Sequence, residues 1–441
     1  MPQIGRNTPI AAPLFLLLSL CSLPSLALQP VEEFLAGARK RNPDDLEARA
    51  NLAQQQAQAD STLGRVLPGV SATGSYIRNQ YGSTIDIAQP GQPSNPITLV
   101  PTNQWDGSAT LKVPLIDLAG FRRVSAARTS AEAFGHQLEA TRLLVEGQVV
   151  QGYYQVVANL ALVAASRSAL DVSREGLRLA QARYQAGTAA ALDVDRARAD
   201  VEQQVQQLAN AELQVALAAR SLESTSSVQP DVSTVTPLSD DLHPEPELET
   251  FATGLARLPA VAAASANTRA ADQETEAQRL AFLPSIAGTF TELGTNAPGF
   301  TGHNWYYQAA LTFTWSLDLT NFANVRVQSA AADAARAREL RTQLSAGDAI
   351  HREWNTVVAG IARSRSARAG REAAFHAATQ ARERYRAGTI TQLDLLQAQR
   401  DAFNAEVSRI QADADLVNAR AQLRLSSGQS LFADSGRKGT P

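Results

Sequence analysis

RYQAGTAAALDVDRARAD at 183–200 and RYRAGTITQLDLLQAQRD at 384–401 are one phrase written twice. Arg183, Tyr184, Ala186, Gly187, Thr188, Leu192, Asp193, Ala197 and Asp200 return in register as Arg384, Tyr385, Ala387, Gly388, Thr389, Leu393, Asp394, Ala398 and Asp401. In each copy a glycine punctuates a long run of helix formers. Lacking a Cβ, it can take the left-handed backbone that ends one helix and lets the chain return. Each phrase therefore predicts the tip of a helical hairpin. Thr188 and Thr389 are the expected N-caps of the returning helices, with Asp193 and Asp394 in their first turns.

Working outward, the duplication continues. Pro43 and Pro68 have the same separation as Pro259 and Pro284, in matching contexts (VLPGVSATG and FLPSIAGTF). Trp105 with Asp117-Leu118 is matched by Trp305 with Asp318-Leu319. The chain reads as two units fused head to tail, 28–223 and 251–428, joined by a Ser-, Asp- and Pro-rich linker at 224–250 and followed by a tail at 429–441. No proline falls between Pro114 and Pro230 or between Pro298 and Pro441. Because proline costs about 3 kcal/mol inside a helix, these stretches predict uninterrupted helices over 124–186 and 325–387. The return helices run to about Leu222 and Leu425. Their stripes, Val194, Ala197, Val201, Val205, Leu208, Val215 and Leu222, then Leu396, Phe403, Val407, Ile410 and Val417, have coiled-coil spacing.

Between the short first helix and the long one, each unit alternates polar and apolar residues, at 70–78 and 108–116, then at 285–290 and 305–317. In the last, Tyr307, Ala309, Leu311, Phe313, Trp315 and Leu317 share one face and Gln308, Thr312, Thr314 and Ser316 the other. Such alternation, with Tyr76, Trp105, Trp305 and Tyr306 near the strand ends, marks membrane-spanning β-strands. The segments 79–104 and 292–304 read as loops. An open sheet edge is not tolerated in hydrocarbon, and bacterial barrels begin at about eight strands. A chain with four strands must share its barrel with at least one other copy.

At the N-terminus, 1–27 carries Arg6, an apolar run from Ile10 to Leu23 and the small-x-small ending Ser25-Leu26-Ala27. This predicts a secretory signal peptide cleaved before Leu28. Leu20 before Cys21 is a poor context for lipidation. No other segment reads as a membrane-spanning helix. The formal net charge of -3 and the lack of a basic face argue against nucleic acid as a partner. The five histidines (His136, His243, His303, His351 and His376) are scattered without metal-ligand spacing, and no phosphate loop or nucleophile elbow occurs. An enzyme, a metal site or a cofactor is not expected.

The duplicated RYxAGT…LD hairpin, the two LPG/LPS junctions and the pair PLIDLAGFRR/WSLDLTNFANVR resemble the TolC-like outer-membrane efflux proteins over nearly the whole chain after residue 27. The resemblance implies a mainly α protein with a transmembrane β part. As a homotrimer it would form a twelve-stranded barrel in the outer membrane of a Gram-negative bacterium and a long α-helical tunnel through the periplasm. It implies the work of an exit duct in tripartite efflux or type I secretion, with an inner-membrane transporter and a periplasmic adaptor as partners and outer-membrane lipid around the barrel. Those partners would dock at the tips: Tyr184, Ala186, Gly187, Thr188, Ala387, Gly388 and Thr389. Asp193, Tyr385 and Asp394 match positions of the periplasmic constriction. Ile390 stands where some members place an arginine that links to the partner hairpin, and Gln397 replaces a second carboxylate. The competing reading is a periplasmic coiled-coil adaptor, which would carry one hairpin and a compact β-domain rather than two hairpins and amphipathic strand pairs.

Overall fold

The computed structural model describes residues 28–86, 96–233, 238 and 240–431. The expected signal peptide, part of the linker and almost all of the tail lie outside the described residues. Each unit runs helix, strand pair, long helix, return helix. In the first, α1 (Val31–Arg41) and α2 (Pro43–Gly64) precede β1 (Gly69–Arg78), β2 (Ser83–Asp86), β3 (Pro96–Val100) and β4 (Asn103–Ile116). The hairpin α3 (Leu118–Gln185) and α4 (Ala191–Ser226) follows. In the second, α5 (Leu248–Ala252) and α6 (Pro259–Leu280) lead to β5 (Ser285–Thr295), β6 (Trp305–Thr314), α7 (Leu319–Arg386) and α8 (Gln392–Ser426).

The repeated motifs are element boundaries. Pro43 and Pro259 sit at the first turns of α2 and α6, where a missing N–H costs nothing. Asp117 and Asp318 are the N-caps of the long helices, accepting from the backbone N–H of Gly120 and Asn321. The long helices consequently start about six residues earlier than their composition suggests. Each has 68 residues, or about 100 Å at 1.5 Å per residue.

Several expectations need correction. Thr188 and Thr389 are not N-caps. Ala190 and Thr391 hold those positions, because each threonine is drawn into closing the preceding helix. The expected loop at 79–104 contains the antiparallel pair β2–β3, and β5 extends through Glu292 to Thr295. The strand at 305–317 ends at Thr314, leaving Trp315 and Leu317 in the connection to α7. One stretch of α3 is, by length and composition, apolar enough to cross a membrane, contrary to the reading that nothing after the N-terminus is. Half of that window is buried instead, since α3 supplies Val149, Val156 and Leu160 to a core with Phe34, Leu35 and Leu222. A second core joins Phe251, Val261, Ile350, Val357, Leu416 and Leu423.

The four long strands form one antiparallel sheet in the order β1-β4-β5-β6. Its register sorts the side chains by polarity. Val70, Leu111, Phe290 and Ala309 lie in one row, and Ser71, Thr110, Thr291 and Gln308 in the next. Hydroxyls on the polar face meet across strands, Thr73 with Ser108 at 2.8 Å and Thr110 with Thr291 at 3.0 Å. Lys112 lies on this face too, while Tyr76 opposes Trp105 on the apolar one.

Candidate functional site: the sheet faces and the hairpin tips

The apolar face of the sheet is solvent-exposed at Val70, Leu111, Leu311 and Phe313. A water-soluble sheet would cover such a face or charge it. Here it has the alternation of a lipid-facing surface, and the strands β1 and β6 are open edges.

At the far end of the hairpins the two tips are built alike. Gly187 (φ 74) and Gly388 (φ 78) take the left-handed conformation. The backbone N–H groups of Gly187 and Thr188 donate to the carbonyls of Tyr184 and Arg183 at 3.0 and 2.9 Å, and those of Gly388 and Thr389 to Tyr385 and Arg384 at 3.0 and 3.0 Å. This is the Schellman closure. The hydroxyls of Thr188 and Thr389 add bonds to the same Arg183 and Arg384 carbonyls at 3.1 and 3.0 Å. That commitment explains why they do not cap the next helix.

Beyond the turns the tips diverge. Thr391 and Asp394 form a full capping box: the carboxylate accepts from the Thr391 N–H at 3.0 Å and its hydroxyl at 2.7 Å, and the Asp394 N–H donates to that hydroxyl at 3.2 Å. These bonds, the side-chain one foremost, hold the Asp394 pKa below the ordinary carboxylate value. Asp193 follows Ala190, which has no side chain to complete a box, and its nearest cation is Arg196 at 3.9 Å. Tyr184 is exposed (51%), whereas its counterpart Tyr385 is buried (3%). Burial pushes the Tyr385 phenol up, Arg183 opposes that and Asp193 adds to it.

Tyr385 and Asp193 are thus brought into one electrostatic neighbourhood, while Asp394 belongs to the cap of its own helix. Tip residues Ala186, Gly187, Thr188, Ala387, Gly388 and Thr389 all face solvent. Sequence reading missed the partner of Tyr385 on the other hairpin. The Arg183 guanidinium donates to the Tyr385 carbonyl at 2.7 Å and lies over its ring at 4.7 Å. Deeper in, Asp200 of α4 faces Arg400 of α8 at 3.5 Å, and burial raises its pKa against the pull of that arginine. Both arginines were visible in the duplicated phrase, but nothing local distinguishes a cross-hairpin partner from a solvated one. One cluster also departs from the sequence reading of the histidines: the possible ligand atoms of Asp240, Asp241 and His243 lie within 4.8 Å of one another. The buried guanidinium of Arg420 binds Asp240 at 2.9 Å and the His243 carbonyl at 2.7 Å, so it is already the cation of this cluster.

A lipid-facing sheet continued by two 68-residue helices and their return strokes defines a membrane-anchored channel subunit. Residues 35–226 and 253–429 match the outer membrane efflux protein family, and the chain belongs to it. It is 25% identical over 427 residues to TtgC of Pseudomonas putida, a probable efflux pump outer membrane protein, covering 92% of this chain and 84% of that one. It is 28% identical over 330 residues to the outer membrane protein OprJ of Pseudomonas aeruginosa, covering 68% of this chain and 65% of OprJ, just under two thirds of that protein's length. The fold superposes on the Campylobacter jejuni CmeC outer membrane channel with a TM-score of 0.77 at 19% identity, over 94% of this chain and 89% of that one. The protein is an outer-membrane efflux protein, with its sheet in the outer membrane and its helices in the periplasm.

Proposed function

We infer that the protein is the exit duct of a tripartite efflux or type I secretion system and works as a homotrimer. Substrate handed over by an inner-membrane transporter and a periplasmic adaptor would enter at the Gly187 and Gly388 tips and leave through the barrel. The observation that carries this is the sheet, with one lipid-compatible face, one polar face and two open edges. In hydrocarbon those edges must be paired.

The repeat says how. Within the chain β4 of the first unit pairs with β5 of the second, and α6 packs against both α3 and α7. Its counterpart α2 packs on α3 but has no comparable contact with α7. Repeating the internal junction between copies sets β6 beside β1 and α7 beside α2 of the neighbour. Val327 of α7 is 62% exposed, while Ala126, its counterpart in α3, is buried. Leu111 opposes Phe290 at the internal junction. Shifting by the Trp105/Trp305 and Pro68/Pro284 correspondences puts Leu311 opposite Gly74 of the next copy, on the same apolar face.

In such a ring each tip residue recurs around the axis. Tyr385 and Asp193 would form the closed constriction, and the Asp394 carboxylates a ring of negative charge favouring cations. Native mass spectrometry in mild detergent should give three chains per particle, and Leu311→Cys with Gly74→Cys should cross-link chain to chain. A stable single chain that conducts in planar bilayers would sink the proposal. Phe313→Arg, on the lipid face but next to the last residue of β6, should impair insertion at a cost below the roughly 2–4 kcal/mol of a midplane charge, whereas Thr312→Arg on the polar face should be tolerated better.

A further inference from the structure

The two hairpins of one chain touch at both ends and stand apart between. At the end nearer the membrane, Gln422 donates to the Gly147 carbonyl at 3.0 Å. Further out a cleft of about 660 Å³ opens between them, walled by residues such as Ala164, Ala169, Phe375 and Phe403. Around and beyond this cleft, among the described residues, the cross-hairpin polar contacts are few. Arg400 reaches Gln203 and Asp200, both at 3.5 Å, the outer limit of a hydrogen bond. Arg183 reaches the Tyr385 carbonyl at 2.7 Å.

The Arg183 contact is strong for three separable reasons. Tyr385 lies in the last turn of α7, and its carbonyl, which accepts from the Gly388 N–H at 3.0 Å, has a second lone pair free for the guanidinium because no intrahelical N–H follows to take it. A cation there also meets the negative end of the helix dipole. The guanidinium plane covers the tyrosine ring at 4.7 Å, adding a cation–π attraction. The phenol hydroxyl is buried without a well-formed hydrogen bond, and Arg183 acts on it as a neighbouring charge that opposes the effect of burial. The arrangement is one-sided: Arg183 of the first hairpin lies over the buried Tyr385 of the second, while Tyr184 is left exposed.

We propose that Arg183 is the clasp that holds the two hairpins of one chain together at the closed tip, and that opening parts Arg183 from Tyr385. This rests on the reading of the protein as a gated duct. It places the lock within each chain, on the ring face and backbone of Tyr385 rather than on its hydroxyl, and it assigns the charged link to Arg183 in a chain whose position 390 is isoleucine.

The test uses the full-length assembly in a Cys21→Ser background, with spin labels at Thr188→Cys and Thr389→Cys and one labelled chain per particle. The label-to-label distance should be narrow in the parent, longer and broader in Arg183→Ala, and intermediate in Arg183→Lys, which keeps the charge but loses the planar fork. Tyr385→Phe should match the parent, and Tyr385→Leu should resemble Arg183→Ala. In planar bilayers Arg183→Ala should shift the closed-to-open ratio on the order of ten-fold or more, the size expected for losing a charge-assisted hydrogen bond with a cation–π contact. An unchanged distance in Arg183→Ala, or a Tyr385→Phe channel as open as Arg183→Ala, would overturn the clasp. If the parent forms no pore, the duct reading falls, and the distances still decide whether Arg183 holds the hairpins together.

Discussion

The two hairpin tips begin from the same eighteen-residue phrase and end with different duties. Both close with a left-handed glycine and a threonine on the same carbonyl. In the first, the tyrosine is exposed, the returning helix starts on an uncapped alanine, and the arginine reaches across to the other hairpin. In the second, the tyrosine is buried and the returning helix has a complete capping box. Duplication supplied identical local structure, and packing then differentiated it. A contact between two unlike surfaces cannot be reciprocal, so one copy of each residue makes it and the other is released.

The largest expected effect tests burial. Tyr385→Ala should destabilise by roughly 3 kcal/mol, as for other buried aromatic truncations, while Tyr184→Ala should stay within about 0.5 kcal/mol. Chemical denaturation of both variants decides it, and equal effects would erase the distinction between the tips. Next come the glycines. Gly187→Ala and Gly388→Ala each force a left-handed alanine at about 1–2 kcal/mol. A Cβ at Gly388 would lie 3.5 Å from the Arg183 guanidinium, and one at Gly187 would meet nothing within 4 Å. Since 3.5 Å is ordinary van der Waals contact, neither substitution should push Arg183 off Tyr385, and the tip distance between spin labels should stay that of the parent in both.

The caps should differ by less. Thr391→Ala should cost about 1 kcal/mol. Ala190→Thr, which places a hydroxyl three residues before Asp193, should raise the melting temperature slightly by completing the missing box. The smallest effect is a pH dependence. The Asp394 pKa in the folded protein lies below its unfolded value, near 3.9. Its contribution is then fully present above the unfolded value and is lost as pH falls through the folded one. Melts recorded from neutral pH down to the acid range should show that loss in the parent and a weaker one in Thr391→Ala. Identical acid profiles would mean that the capping bonds do not govern Asp394.

Much of the architecture is legible because it is written in periodic or punctuating residues. Pro43, Pro259, Gly187 and Gly388 act through backbone geometry that any environment would impose. The alternation in β6 records a surface with lipid on one side and polar groups on the other. The boundaries that went astray involve residues able to do two things. Thr188 and Thr389 suit an N-cap as well as a C-terminal closure, and Asp117 and Asp318 set the starts of the long helices through single bonds that composition does not reveal. Val205, on the expected stripe of α4, is exposed, whereas Asp200 and Gln204 of that helix are buried and line the cleft between the hairpins.

The sequence by itself determined the duplication, the helix and strand segments, the two-faced sheet and the need for a partner copy, since these follow from short-range sterics and from the cost of unpaired backbone in a membrane. Only the tertiary structure decided which tyrosine is covered, that Arg183 covers it, and that Asp394 belongs to its own helix cap. Those outcomes depend on how two hairpins some two hundred residues apart in sequence meet, and contacts of a few ångströms between distant segments leave no local trace in either one.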